Sequence, residues 1–156
     1  MKFIIDRTLG KLARKLRILG FDAVSWEGEN IEGACKTALM EGRVLLTRSR
    51  KIQGKSSDLR FLVIEANDPG EQIRETISNL HLQPAPEKLF SRCLICNQDL
   101  LSICKEEVEG KVPDFIYRSY DSFHVCPHCH RIYWPGTHFQ RMKKAIGNGQ
   151  WVMGDG

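Results

Sequence analysis

No stretch of this 156-residue chain approaches the roughly 20 consecutive apolar residues that a membrane-crossing helix needs. The opening residues MKFIIDRTLG hold one lysine and then an aspartate, unlike the basic and apolar regions of a signal peptide. We therefore expect a cytoplasmic protein with no membrane partner. Three common catalytic signatures are also missing: the Walker loop, the G-x-G-x-x-G turn and the G-x-S-x-G elbow. Their absence removes the usual triphosphate, dinucleotide and serine-hydrolase chemistries. Neither sign of charge dominates, since 23 basic and 19 acidic side chains leave a net +4. A polycation that binds nucleic acid through bulk charge is excluded, and any phosphate-binding surface must be local. Internal repeats and low-complexity segments are absent as well.

What is present is a pair of cysteine knuckles. CLIC begins at Cys93, CPHC ends at Cys129, and 29 residues separate Cys96 from Cys126. A C-x2-C turn presents two thiolates from one tight loop, and two such turns supply the four soft ligands of a tetrahedral Zn²⁺ site. Cys93, Cys96, Cys126 and Cys129 are thus the expected ligands of a structural zinc. The same thiolates also suit iron, which spacing does not separate from zinc. Disulfides are the alternative, disfavoured by the absence of any sign of an oxidising compartment. Of the other cysteines, Cys35 falls on the apolar face of an expected helix, and Cys104 has no assigned role.

The residues before the knuckles alternate between strand and helix patterns. Phe3–Ile5 is a short apolar run ending at Asp6. Leu9, Leu12, Ala13, Leu16 and Leu19 then form a helical stripe, with Thr8 as its expected cap and Gly20 as its stop. A strand at Phe21–Trp26, a helix at Ile31–Glu41, and strands at Val44–Thr47 and Phe61–Ile64 follow. Ile31, Ala34, Cys35, Ala38 and Leu39 are read as the buried side of the second helix. RSRKIQGKSSDLR, between the last two strands, reads as a mobile loop or frayed helix. Asp68, Pro69 and Glu71 mark a helix start, and QPAPEK reads as a linker. Such alternation implies an α/β fold with a small parallel sheet flanked by helices, followed by a four-cysteine zinc ribbon.

Ligands of open parallel sheets bind at the carboxyl ends of the strands. This chain places Asp6 at that edge, Glu32 in the first turn of the second helix and Asp68 at the start of the third. Together these carboxylates could hold Mg²⁺ or Mn²⁺, which activates water and clamps a phosphodiester. Helix capping explains Asp68 equally well, and a favourable first-turn acid explains Glu32. Asp6 has no simple structural role in the sequence. Asp22 opens its strand and is expected at the far edge. Arg14, Arg17, Arg48, Arg50, Lys51 and Lys55 fall in two local basic clusters suited to RNA phosphates, or to solvated helix faces.

MKFIIDRTLGKLARKLRILGFDA, EGRVLLTR, NDPGEQIRE, LFSRCLICN and CPHCHRIYWPGTHFQRM occur here in that order. This combination resembles the PIN-like ribonucleases named after the C-terminal region of the Mut-seven exonuclease, in which a nuclease domain carries a zinc ribbon. The resemblance implies a metal-dependent endoribonuclease acting on RNA, with a PIN-like domain at residues 1–86, a zinc ribbon at 87–142 and a flexible tail at 143–156. It carries catalytic roles to Asp6 and Glu32. It also exposes a departure, because the LLTR strand of the family continues into an aspartate where this chain has Ser49. A serine cannot neutralise a cation. The alternative is a non-catalytic RNA-binding protein derived from a nuclease, with Arg131, Tyr133, Trp134 and His138 as stacking and phosphate-contacting groups. For Tyr133 and Trp134, a hydrophobic wall that packs the ribbon onto the nuclease-like domain is the slightly better reading.

Overall fold

Two crossovers in opposite directions set the N-terminal architecture. In the computed structural model, β1 (Lys2–Asp6) connects through α1 (Gly10–Ile18) to β2 (Asp22–Trp26) on one side. The chain then returns through α2 (Ile31–Glu41) to β3 (Val44–Thr47) on the other side of β1, and β4 (Phe61–Val63) pairs beyond it. The order is β2-β1-β3-β4, with every pairing parallel. Residues 1–52, 57–137, 139–141 and 144 are described. Lys55, His138, Trp151, Val152 and all of the 143–156 tail but Lys144 lie outside the described residues.

Because the first crossover steps one way and the next the other, right-handed connections place their helices on opposite faces. The buried side chains follow that rule. Phe3, Ile5 and Leu46 meet Leu12 and Leu16 of α1 and Ile73 of α3 (Pro69–Leu80) on one face. On the other, Ile4 and Leu45 meet Ala34, Cys35 and Ala38 of α2. All four residues of β3 are buried, as expected for a strand covered on both sides. Truncating a fully buried leucine such as Leu16 to alanine costs about 2–5 kcal/mol in cores of this kind.

Several local expectations change. The first cap is Asp6, not Thr8: its Oδ1 accepts the Thr8 N–H over a 3-10 turn at Arg7–Leu9, and α1 begins only at Gly10. Leu39 is exposed rather than inward. The basic segment after β3 is tethered at both ends, by Ile52 (in a 3-10 turn) and by Leu59, which pack on the α2 face. Asp68 caps α3 as read from the sequence, accepting the Glu71 N–H.

The second unit is a three-stranded antiparallel ribbon, β5 (Leu101–Ile103), β6 (Phe123–Val125) and β7 (Ile132–Tyr133), in that order. Between β5 and β6 lie α4 (Lys105–Val108) and α5 (Asp114–Ser119), whose Val108 and Ile116 join Phe123 in a small core of their own. The proline-bearing connection is no free linker. Leu82 and Leu89 are buried in the α1/α3 core, and Phe90 donates its N–H to the Ile18 carbonyl. Gly20 permits this docking: its φ is +90°, and a Cβ there would lie 2.3 Å from the Lys88 carbonyl oxygen.

Asn97, just after the first knuckle, joins the ribbon to the sheet. Its Oδ1 accepts the Ala23 N–H at 3.0 Å, and its Nδ2 donates to Asp22 Oδ1 at 2.8 Å. Asp22 also pairs with Arg43 at 2.8 Å, at the edge opposite Asp6. Burial works against the Asp22 carboxylate, but the bonds from Arg43 and Asn97 outweigh it and hold its pKa below the ordinary value. That stabilisation is complete above the ordinary aspartate pKa and is lost as pH falls through the depressed one. Asn97 has φ +65°, which asparagine tolerates better than most residues. Replacing it with alanine should destabilise the protein by about 2–4 kcal/mol, through two lost bonds and backbone strain. In urea unfolding, Asn97→Gly should recover only the strain component; equal losses in both variants would show that the backbone conformation contributes nothing.

Candidate metal centre and acidic edge

The two knuckles are built alike. In the first, the Asn97 N–H donates to the Cys93 carbonyl, the Cys96 N–H points at Cys93 Sγ and the Cys93 N–H donates to the Gln98 carbonyl. In the second, the His130, Cys129 and Cys126 N–H groups do the same toward Cys126 O, Cys126 Sγ and Arg131 O. Asn97 and His130 each take the left-handed conformation, at φ +65° and +64°. Such turns aim both thiols of a knuckle at one point.

That point is shared. The Sγ atoms of Cys93, Cys96, Cys126 and Cys129 all lie within 4.8 Å of one another, and no histidine belongs to the group. Cys93 and Cys129 are 3.7 Å apart. The edge of a tetrahedron with Zn–S bonds of about 2.3 Å is about 3.8 Å, whereas a disulfide is about 2.05 Å. No disulfide joins any of the six cysteines. The cluster can therefore hold a metal such as zinc, with four thiolates leaving no position for a catalytic water.

Without a cation, Cys93, Cys96 and Cys129 do not ionise alike. The Arg131 backbone N–H, with further bonds from the Arg131 side chain and neighbouring cysteines, draws Cys129 down to about 6. Burial and the neighbouring thiols push Cys96 up to about 12. Burial opposes the Cys93 thiolate, yet the bond from Tyr133 and the backbone N–H groups of Cys96 and Ile95 bring it below its ordinary value.

Two residues outside the ligand set are tied to the cluster. Arg17 is not a phosphate contact. It is 7% exposed, and its guanidinium donates to the carbonyls of Ala23 and Leu94 at 2.8 Å and to Ser25 Oγ. It sits on the helix stripe that packs inward, so its charge is spent pinning the first knuckle against β2. Burial lowers its pKa, while Cys93 and Cys96 favour its charge. Tyr133 also turns inward, its hydroxyl 3.2 Å from both Cys93 Sγ and the Leu94 N–H. Trp134 leans edge-on against Phe123, 6.4 Å between centroids. The sequence held no signal for Arg17 or Asn97 as joints, because Leu94, which Arg17 reaches in the ribbon, and Asp22 and Ala23, which Asn97 reaches in the sheet, lie more than 70 residues away.

At the carboxyl edge of the sheet, the strand order reverses between β1 and β3, and Asp6 stands at that point. Asp6 Oδ2 accepts from the buried Thr47 hydroxyl at 3.1 Å, and Thr47 Oγ1 accepts the Ser49 N–H at 3.0 Å. Ser49 Oγ in turn accepts the Lys51 N–H at the start of the 3-10 turn, a capping role that aspartate fills equally well. Glu32 is exposed in the first turn of α2, and Asp68 is held in its cap. The fold brings these helix starts to the same edge as Asp6 but not into a cage. Among the described residues, the four cysteines are the one group of three or more ligating side chains gathered this closely.

The basic residues of that edge are partly engaged. Arg48 donates to Ala66 O and Asn67 Oδ1, both at 2.6 Å, and Arg50 pairs with Glu65 at 2.7 Å. Arg14 and Lys51 are exposed. Glu75, unremarked in the sequence, accepts the N–H groups of Glu65 and Ala66 and so shapes the turn after β4.

Residues 1–146 match the Mut7-C RNAse domain family. No curated protein and no solved structure matches the chain. No helix among the described residues is long and apolar enough to cross a membrane. For the metal centre, purified protein should carry one zinc per chain by elemental analysis. Tyr133→Phe should keep the metal but weaken its hold by about 10–100-fold in a chelator competition. Unchanged competition would mean that the Tyr133 bond to Cys93 does not matter for the metal.

Proposed function

This chain belongs to the Mut7-C RNAse domain family, and from that premise we propose a divalent-metal-dependent ribonuclease that hydrolyses RNA phosphodiesters at the carboxyl edge of its parallel sheet. The observation that carries the reading is Asp6 at the topological switch point, its carboxylate fixed by Thr47 and by the turn at Thr8. A carboxylate with two oxygens held this way is already oriented when a cation arrives. Oxygen donors of this kind suit Mg²⁺ or Mn²⁺, which would supply charge neutralisation and an activated water.

Asp6 would be the principal ligand, with Glu32 and Asp68 closing on the cation from the two helix starts. Release of Asp68 from its cap would accompany that closure. Arg14 and Lys51 would hold phosphates from the exposed surface, and Arg48 and Arg50 would join them by exchanging Asn67 and Glu65 for the RNA backbone. Residues 1–86 form the nuclease unit in this reading, and residues 87–142 form the zinc-stapled ribbon.

Ser49 favours a second reading. Where the family pattern has an aspartate, this chain supplies a neutral hydroxyl, and an RNA-binding protein without cleavage would keep the cap while losing the charge. The two readings separate in one experiment. Mn²⁺ binding by calorimetry and cleavage of a labelled RNA are measured for the zinc-loaded wild type, Asp6→Asn and Ser49→Asp. The nuclease reading expects Mn²⁺ binding and cleavage by wild type, a loss of about 10²-fold or more in rate for Asp6→Asn, and tighter Mn²⁺ binding for Ser49→Asp. Binding and cleavage by Ser49→Asp alone would establish the second reading instead.

A further inference from the structure

The ribbon carries a groove that the acidic edge does not need. It encloses about 530 Å³ between the loop after α4 and the second knuckle. Pro113, Ile132 and Trp134 line it with apolar surface, and Lys111, His130 and Arg131 line it with basic groups. Among the described residues, no carboxylate lines it. Lys111, His130 and Arg131 are exposed, while Ile132 and Trp134 are half-buried.

We infer that this groove is a binding site for single-stranded RNA, holding an unpaired base against Trp134 with the flanking phosphates on Lys111 and Arg131. Three features support that occupant. The volume lies in the range of small-ligand clefts, large enough for one nucleotide and far too small for a duplex. An indole beside cations is the pairing that binds unstacked bases without regard to sequence, since every base offers a π face and every nucleotide a phosphate. The groups are also held in place. Trp134 is braced against Phe123. Arg131 lies against Cys129 of the metal cluster, and the left-handed turn at His130 sets the rim. Guanidinium has five N–H donors, so a contact with one thiolate leaves others for phosphate.

The site is distinct from the proposed nuclease edge. The ribbon is anchored through Asn97 at Asp22, where β2 begins, whereas Asp6 lies where β1 ends. The groove also differs from the aromatic surface read in the sequence, because Tyr133 is occupied with Cys93, and Lys111 and Pro113 enter from the insert. This inference rests on the RNA reading above for its ligand class but not on catalysis.

The test uses zinc-loaded, full-length protein in buffer without Mg²⁺ or Mn²⁺, with a fluorescein-labelled 12-nucleotide oligouridylate followed by anisotropy. Lys111→Glu, an exposed substitution, should weaken binding by about tenfold or more and make the salt dependence shallower. Trp134→Leu should weaken it by a similar factor, with zinc content confirming an intact ribbon. Lys36→Glu, an equal charge change on the exposed side of α2, should bind like wild type, and a duplex RNA of equal length should bind more weakly than the single strand. Wild-type affinity in Lys111→Glu, or an equal loss in Lys36→Glu, would overturn the groove while leaving an RNA-binding protein. No binding of any RNA by wild type would overturn the groove and the RNA reading together.

Discussion

Four sulfur atoms held within 4.8 Å of one another are a constraint that the rest of the ribbon depends on. The insert between the knuckles has three fully or nearly buried apolar side chains at its centre, Val108, Ile116 and Phe123, too few to order some thirty residues alone. Metal binding is then folding free energy for this unit, since the ligands meet only in the folded chain. The cation also resolves the electrostatics. Cys129 ionises easily and Cys96 with difficulty in its absence, and a bound cation would draw the ligands to thiolates.

The staple reaches beyond the ribbon. Arg17 spans from the inner stripe of α1 to the Leu94 carbonyl, and Asn97 reaches from the knuckle to the start of β2. A buried guanidinium beside two cysteines balances part of a negatively charged centre while bonding the backbone of both units. β2 is an edge strand, and the knuckle covers part of it. Edges left open invite pairing with other chains. The ribbon thus closes the side of the sheet remote from β4, and the carboxyl edge with Asp6 remains clear of that joint.

The two units divide their chemistry accordingly. One presents oxygen donors on rigid strand and helix ends, where the proposed reading would bring a hard cation and a phosphodiester together. The other presents soft donors in a closed shell, with aromatic and basic groups arranged around it. Placing a strand-binding groove and a phosphodiester-cleaving edge on one short chain would let the ribbon hold RNA while the sheet edge acts on it. The proline-bearing connection, packed into the core through Leu82 and Leu89, would keep their separation constant.

Much of this was legible from local pattern. Paired C-x2-C turns identified the ligands because a knuckle is a short-range motif. Alternating strands and helices identified the α/β class, and the Asp68-Pro69-Gly70-Glu71 run marked its helix start to the residue. Asp6 was recognised as a strand-terminal acid, but its bonds to Thr8 and Thr47 were not, so its capping role was assigned to Thr8. Arg17 shows the limit most clearly. In the sequence it is one cation in a basic helix, and its fate turns on carbonyls at Leu94 and Ala23. Composition and spacing determined which chemistries this chain could carry. Only the tertiary structure decided which charges face solvent and which are consumed as joints, because that depends on partners brought near by folding rather than by sequence.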